Sequence, residues 1–139
     1  MENVKIRINT IQTVDEAGNE DVIEMITEAE LEKLDDCFII DYDESEITEH
    51  EGSRTRLKIY KDKMIMTKVG IYSSKMEFEQ GFKCENLYST PYGNFDLDFI
   101  TIAYNNNLDE KGRGNVYVEY TVIFANSDES NNKLNIDIF

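Results

Sequence analysis

Tryptophan is absent from the 139 residues, and proline and histidine occur once each, as Pro91 and His50. A single imidazole excludes zinc or iron centres built from several histidines. With no Pro/Ser-rich stretch there is no linker at which to divide the chain, so we expect one domain over residues 1–139. No apolar run approaches the roughly 20 residues that a membrane helix requires. The opening Met1-Glu2-Asn3-Val4-Lys5 has no basic region followed by an apolar run, so we expect no secretory signal and a cytoplasmic location. Cys37 and Cys84 are the only cysteines and sit in no CxxC or zinc-like spacing. We expect two reduced thiols, although spacing alone leaves a disulfide between them open. Cations are scarce too: 14 Lys and Arg stand against 29 Asp and Glu, for a formal charge of -15. Such a chain repels phosphate backbones and anionic lipid surfaces, so neither nucleic acid nor membrane is an expected partner.

What the chain does have is alternation. Val4, Ile6 and Ile8 alternate with polar neighbours, as do Phe38, Ile40 and Tyr42, then Thr55, Leu57 and Ile59. Met64–Val69 is a short apolar strand, followed by Tyr72, Ser74, Met76 and Phe78, and by Cys84, Asn86 and Tyr88. Phe95 to Thr101 and Val116 to Phe124 are longer runs of the same period, and Leu134, Ile136 and Ile138 end the pattern. Turn residues separate them at 16–19, 51–53, 61–63, 80–81 and 105–114, and Asn131-Asn132 marks a last turn. Over Glu20 to Asp36, local propensity favours a helix. A strand there gives the first strand its hairpin partner, with Ile23, Met25, Thr27, Ala29 and Leu31 inward, and we take the strand. About ten antiparallel strands with one apolar face each are best satisfied by closure, which removes exposed edges. The expected fold is an all-β, closed, up-and-down barrel.

Four segments carry a family resemblance: Thr27-Glu28-Ala29, Tyr42-Asp43-Glu44-Ser45, Glu51-Gly52-Ser53 and Thr90-Pro91-Tyr92-Gly93. In their order and spacing the chain resembles the YwiB-like calycin-type β-barrels, small uncharacterised proteins of low-GC Gram-positive bacteria. Ala29 stands where that pattern has glycine. The resemblance implies a lipocalin-like barrel and supports strand over Glu20 to Asp36, and it implies no reaction. The better-understood calycins match less well. There is no Gly-x-Trp opening, and Val116-Tyr117-Val118-Glu119-Tyr120 lacks the Arg-x-Tyr pair with which fatty-acid-binding barrels hold a carboxylate.

No motif assigns a catalytic residue, a metal or a cofactor. Asp41 to Glu46 resembles a calcium loop, but counting from Asp41 puts Glu46 and Gly52 where glycine and a bidentate acid are needed. Ser45 and His50 lack a Gly-x-Ser-x-Gly elbow, and His50 lies in a polar turn. Asp35 and Asp36 beside Cys37 would raise its pKa, which argues against a reactive thiolate. Two readings of function remain. In the first, the barrel lumen holds a small apolar molecule, with Tyr42, Tyr72, Asn86, Tyr88, Thr101 and Tyr120 as polar groups on the inner face. In the alternative, Ile100, Ile102, Tyr104, Tyr117 and Ile123 form an outward apolar stripe, Tyr104 opposite Tyr117 and Ile100 near Thr121, through which the chain homodimerises.

Overall fold

The computed structural model describes residues 2–13, 20–43, 54–69, 74–90, 93–123 and 129–139, and within these the side chains of all but 20, 74, 85–90, 93–97 and 129. The strands are β1 (Glu2–Thr13), β2 (Glu20–Lys33), β3 (Cys37–Asp43), β4 (Arg54–Tyr60), β5 (Lys63–Val69), β6 (Ser74–Glu79), β7 (Lys83–Thr90), β8 (Gly93–Leu108), β9 (Gly114–Ile123) and β10 (Glu129–Ile138). They form one antiparallel ten-stranded sheet in the order β6-β5-β4-β3-β2-β1-β10-β9-β8-β7. Every neighbour pair in that order is consecutive in the chain except β1 and β10, whose pairing brings the two ends of the chain together. The sheet is therefore up-and-down and nearly closed into a barrel, with its seam between β6 and β7.

Side chains and a tight turn close the seam. Gly81, at φ +85°, lets the β6–β7 connection turn back, and its N–H donates to the Thr101 carbonyl at 2.8 Å. The Thr101 N–H donates to the Phe82 carbonyl at 3.2 Å. On the inner side Phe78 of β6 packs against Phe99 of β8 and Tyr120 of β9, with ring centroids 5.2 and 4.9 Å apart. Tilted aromatic contacts of this kind add about 0.5–1.5 kcal/mol beyond their burial.

The period-2 pattern explains the core. Ile6, Ile40, Leu57, Ile59, Val116 and Ile136 all sit at inward positions and are fully buried. The segment for which local propensity favours a helix is strand from Glu20 to Lys33, paired with β1 from Glu20 to Leu31. Tertiary pairing overrides the helical preference of a Glu/Leu/Met-rich stretch there.

The structure corrects three expectations. Tyr104, placed in the outward stripe, is only 7% exposed. A bulge between Thr101 and Ala103 inserts Ile102 as an extra residue and reverses the phase of β8 beyond it, so Tyr104 faces Val118 and points inward. Ile23, placed inward, is 59% exposed. Among the described residues the β2–β3 ladder covers only Glu30–Lys33, so the earlier part of β2 has β1 alone beside it. Asn131 and Asn132 do not make a turn but lie inside β10, opposite Thr121 and Tyr120.

Candidate functional site

The lumen has two different ends. At the end formed by the turns after β2, β4 and β8, it is plugged. The β8–β9 connection is a tight turn in which the Asp109 N–H donates to the Arg113 carbonyl at 2.7 Å. The Asp109 carboxylate accepts the Lys111 and Arg113 N–H groups at 2.8 and 2.9 Å, which holds its carboxyl below the usual range. This turn lays Gly112, at φ +80°, against Phe38 and Leu31, where an added Cβ would sit 2.9 Å from the Phe38 ring. From across the lumen, the Tyr104 hydroxyl and the Asn106 amide both donate to the Tyr60 carbonyl, at 2.7 and 2.9 Å. Burial pushes the Tyr104 phenol well above its usual range, so it stays a donor. Outside the plug, a cleft of about 410 Å³ is floored by Phe38, Ile59 and Leu108 and rimmed by Lys33, Asp35, Asp36 and Lys61.

Toward the opposite end the inner face turns polar in two ladder rows. On one side of the barrel, Tyr42 faces Thr55, and Thr55 faces Lys68. Tyr42 and Thr55 are buried and Lys68 is half-buried. On the other side, Thr101 faces Tyr120, Tyr120 faces Asn132, and Asn132 faces Gln12. In this second row the Gln12 amide donates to the Ser130 hydroxyl at 3.1 Å, and the Asn132 amide donates to the Ser130 carbonyl at 3.2 Å. Ser130 in turn donates to the Thr13 carbonyl at 3.3 Å. Burial alone pushes the Tyr120 phenol up to about 12. The exception is Thr101: its Oγ1 is buried and has no hydrogen-bond partner among the described residues. Orphaned hydroxyls of this kind are uncommon and costly, by about 1–3 kcal/mol each.

The structure thus brings Tyr42, Thr101 and Tyr120 to the inner face, Thr101 and Tyr120 as direct neighbours. Tyr72 lies outside the described residues. Asn86 and Tyr88 lie on β7, opposite Leu97 and Phe95, with side chains outside the described set. Sequence reasoning missed Asn132, Ser130 and Gln12 as inner polar groups. An Asn-Asn pair signals a turn more strongly than it signals strand, and that masked the alternation Ser130–Asn132–Leu134. Of the outward stripe, Ile102 is 48% exposed, while Ile100, Tyr117 and Ile123 are half-buried. Ile100 does face Thr121, but Tyr117 faces Asn105 rather than Tyr104.

Among the described residues no group of three or more His, Cys, Asp or Glu is placed to hold a metal ion. Ser45, His50 and the calcium-loop residues beyond Asp43 lie outside the described residues, as does Pro91. Cys37 and Cys84 are not joined in a disulfide. Burial first, and Asp36 second, push the Cys37 thiol up, away from a reactive thiolate.

Comparison with known proteins adds two findings. A family model described as "Domain of unknown function (DUF1934)" matches residues 6–136. The crystal structure of the ywiB protein from Bacillus subtilis superposes with a TM-score of 0.76 at 17% identity, covering 97% of this chain and 90% of that one. That likeness establishes a shared fold. No curated protein matches the chain in sequence.

Proposed function

Since the chain belongs to the DUF1934 family, whose description names no activity, we propose a function from the lumen itself: the barrel binds one small, largely apolar molecule carrying a hydrogen-bonding group. The orphaned Thr101 hydroxyl carries this reading. It sits in a row with Tyr120, Asn132 and Gln12, beside the apolar inner-face residues Phe78 and Phe99, against which the rest of the molecule would lie. Ligand sites in barrels combine an apolar wall with a few orienting polar groups, and this inner face has that composition. Lipocalin-like binding in the cytoplasm is the role that follows.

Native mass spectrometry of the freshly purified protein, compared with the denatured chain, tests the proposal. An excess mass lost on denaturation gives the ligand's mass directly. Without excess mass, and with no stoichiometric binding of an anilinonaphthalene dye to the folded protein, the lumen is no binding site.

The exposed bulge residue favours a second reading, a protein interface on the outer face of β8–β9. Without Tyr104 this stripe is reduced to Ile102 with Ile100, Tyr117 and Ile123 around it. Ile102→Asp should split an oligomer built on that face, and an unchanged solution mass eliminates it.

A further inference from the structure

Outside the barrel, on the wall formed by β2, β3 and β4, the charges are sorted by strand. Toward the end of β2 that pairs with β3, its outward positions are Glu28, Glu30 and Glu32, all exposed. Those of β4 are Arg54 and Arg56, exposed, and Lys58, half-buried. Between them β3 places Asp41, half-buried, and Ile39, which is only 9% exposed. The ladders align these positions: Glu30 faces Asp41, which faces Arg56, and Glu32 faces Ile39, which faces Lys58. Two residues before Glu30 lies Glu28, and two residues before Arg56 lies Arg54. Arg56 is held by Asp41 through a two-pronged contact at 2.8 and 3.2 Å. Among the described residues the three glutamates, Arg54 and Lys58 make no ion pair. A groove of about 450 Å³ runs along the basic strand, lined by Asp41, Arg54, Arg56, Lys58, Thr67 and Val69, and Val69 at its edge is 60% exposed.

We infer that this wall is a self-complementary interface that takes a second copy of the same chain. The symmetry selects the pairing. A twofold axis lying between two such walls and running along β3 exchanges left and right while keeping the strand direction. It therefore lays β2 of each copy over β4 of the other. Because β2 and β4 are both antiparallel to β3, they run in the same direction, and the two triplets meet in order: Glu28 on Arg54, Glu30 on Arg56, Glu32 on Lys58. An axis across the strands would instead stack β2 on β2 and β4 on β4, like charge on like charge, and is disfavoured. Facing sheets sit about 10 Å apart, a gap that glutamate and arginine side chains span from both sides. The contact is isologous, as a closed twofold interface must be. On a chain of formal charge -15, a row of three cations is also the one element of this wall that attracts another acidic copy rather than repelling it.

The test is sedimentation velocity at about 0.15 M salt, where long-range repulsion is screened beyond roughly 8 Å but contacting charges still interact. One variant carries Arg54→Glu and Lys58→Glu, the other Glu28→Lys and Glu32→Lys. Each alone places like charges across both halves of the interface, and each should weaken dimerisation at least about tenfold. Mixed in equal amounts they should associate again, because the acidic triplet of the first variant meets the unaltered basic row of the second, and the reversed strands meet each other. Circular dichroism confirms that each variant is folded, as expected for substitutions at these outward positions. Ile102→Asp should leave this dimer intact, which separates it from the β8–β9 face. A wild-type chain that stays monomeric to about 100 µM, a concentration that would populate even a weak dimer, overturns the proposal. So does a mixture that associates no better than its two components.

Discussion

Replacing Thr101 by valine exchanges a hydroxyl for a methyl group of nearly the same shape, at a side chain with no exposed surface and no hydrogen-bond partner among the described residues. In the unfolded chain that hydroxyl is hydrated, and folding strips the water without returning a bond, at a cost of about 1–3 kcal/mol. Valine avoids the cost and adds the burial of one methyl group, worth roughly 0.8 kcal/mol. Its branched side chain suits a strand as well as threonine does, so no backbone penalty offsets the gain. The ligand-free variant should therefore be more stable than wild type by about 2–4 kcal/mol, which for a chain of this length is a rise in Tm of about 6–12 °C. Urea denaturation is the assay, with a higher midpoint and an unchanged slope. In protein that carries a ligand using the hydroxyl, the gain shrinks or reverses and affinity falls. A ligand-free variant less stable than wild type would refute the reasoning, because it would mean that the hydroxyl has a partner, most simply a buried water.

At the plugged end, Tyr104→Phe removes the 2.7 Å bond to the Tyr60 carbonyl but leaves that carbonyl its bond from Asn106, so a loss of about 0.5–1.5 kcal/mol in urea denaturation is expected. Gly114→Ala adds a Cβ at φ +139° into the Asn107 carbonyl, and should cost more than about 2 kcal/mol, enough to lower the thermal midpoint by several degrees. Alkaline stability follows from Tyr104 and Tyr120, whose phenols burial pushes up from 10.0, that of Tyr120 to about 12. Above about pH 10 the unfolded phenols ionise while the buried ones keep their protons, so stability is full below that pH and falls as pH rises toward about 12. Phenolate absorbance should then appear together with unfolding, and phenolate signal from both tyrosines in still-folded protein would contradict it. Deleting Ile102, the extra residue of the bulge, should leave the phase on both sides intact and cost less than about 2 kcal/mol. Deleting Asn105 instead should reverse the phase of Asn106 and Leu108 and cost about 3 kcal/mol or more, as melting temperatures would report.

The barrel was legible because its signal is redundant: each strand repeats the same two-residue period, and a mistake in one leaves nine others to close the sheet. The site was legible only in part, because position on the inner face depends on phase, and phase accumulates along a strand. Thr101 and Tyr120 lie close to the run of alternation that defines their strands, and both were placed correctly. Tyr104 lies beyond the bulge, and nothing in Thr101-Ile102-Ala103-Tyr104 marks Ile102 as the residue to skip, since β-branched Ile fits a regular strand as well as an irregular one. The reason for the skip is tertiary. Inward, the Tyr104 hydroxyl finds the Tyr60 carbonyl at 2.7 Å, a partner 44 residues away in the chain, whereas outward it would leave that end of the lumen open beside Phe38 and Leu108. The charge sorting on β2 and β4 escaped notice for the same reason. Glu28, Glu30 and Glu32 are unremarkable in a chain this acidic, and Arg54, Arg56 and Lys58 unremarkable on an outward face. Only the ladder through β3 sets the two triplets side by side, and a self-complementary surface exists only once the register is known.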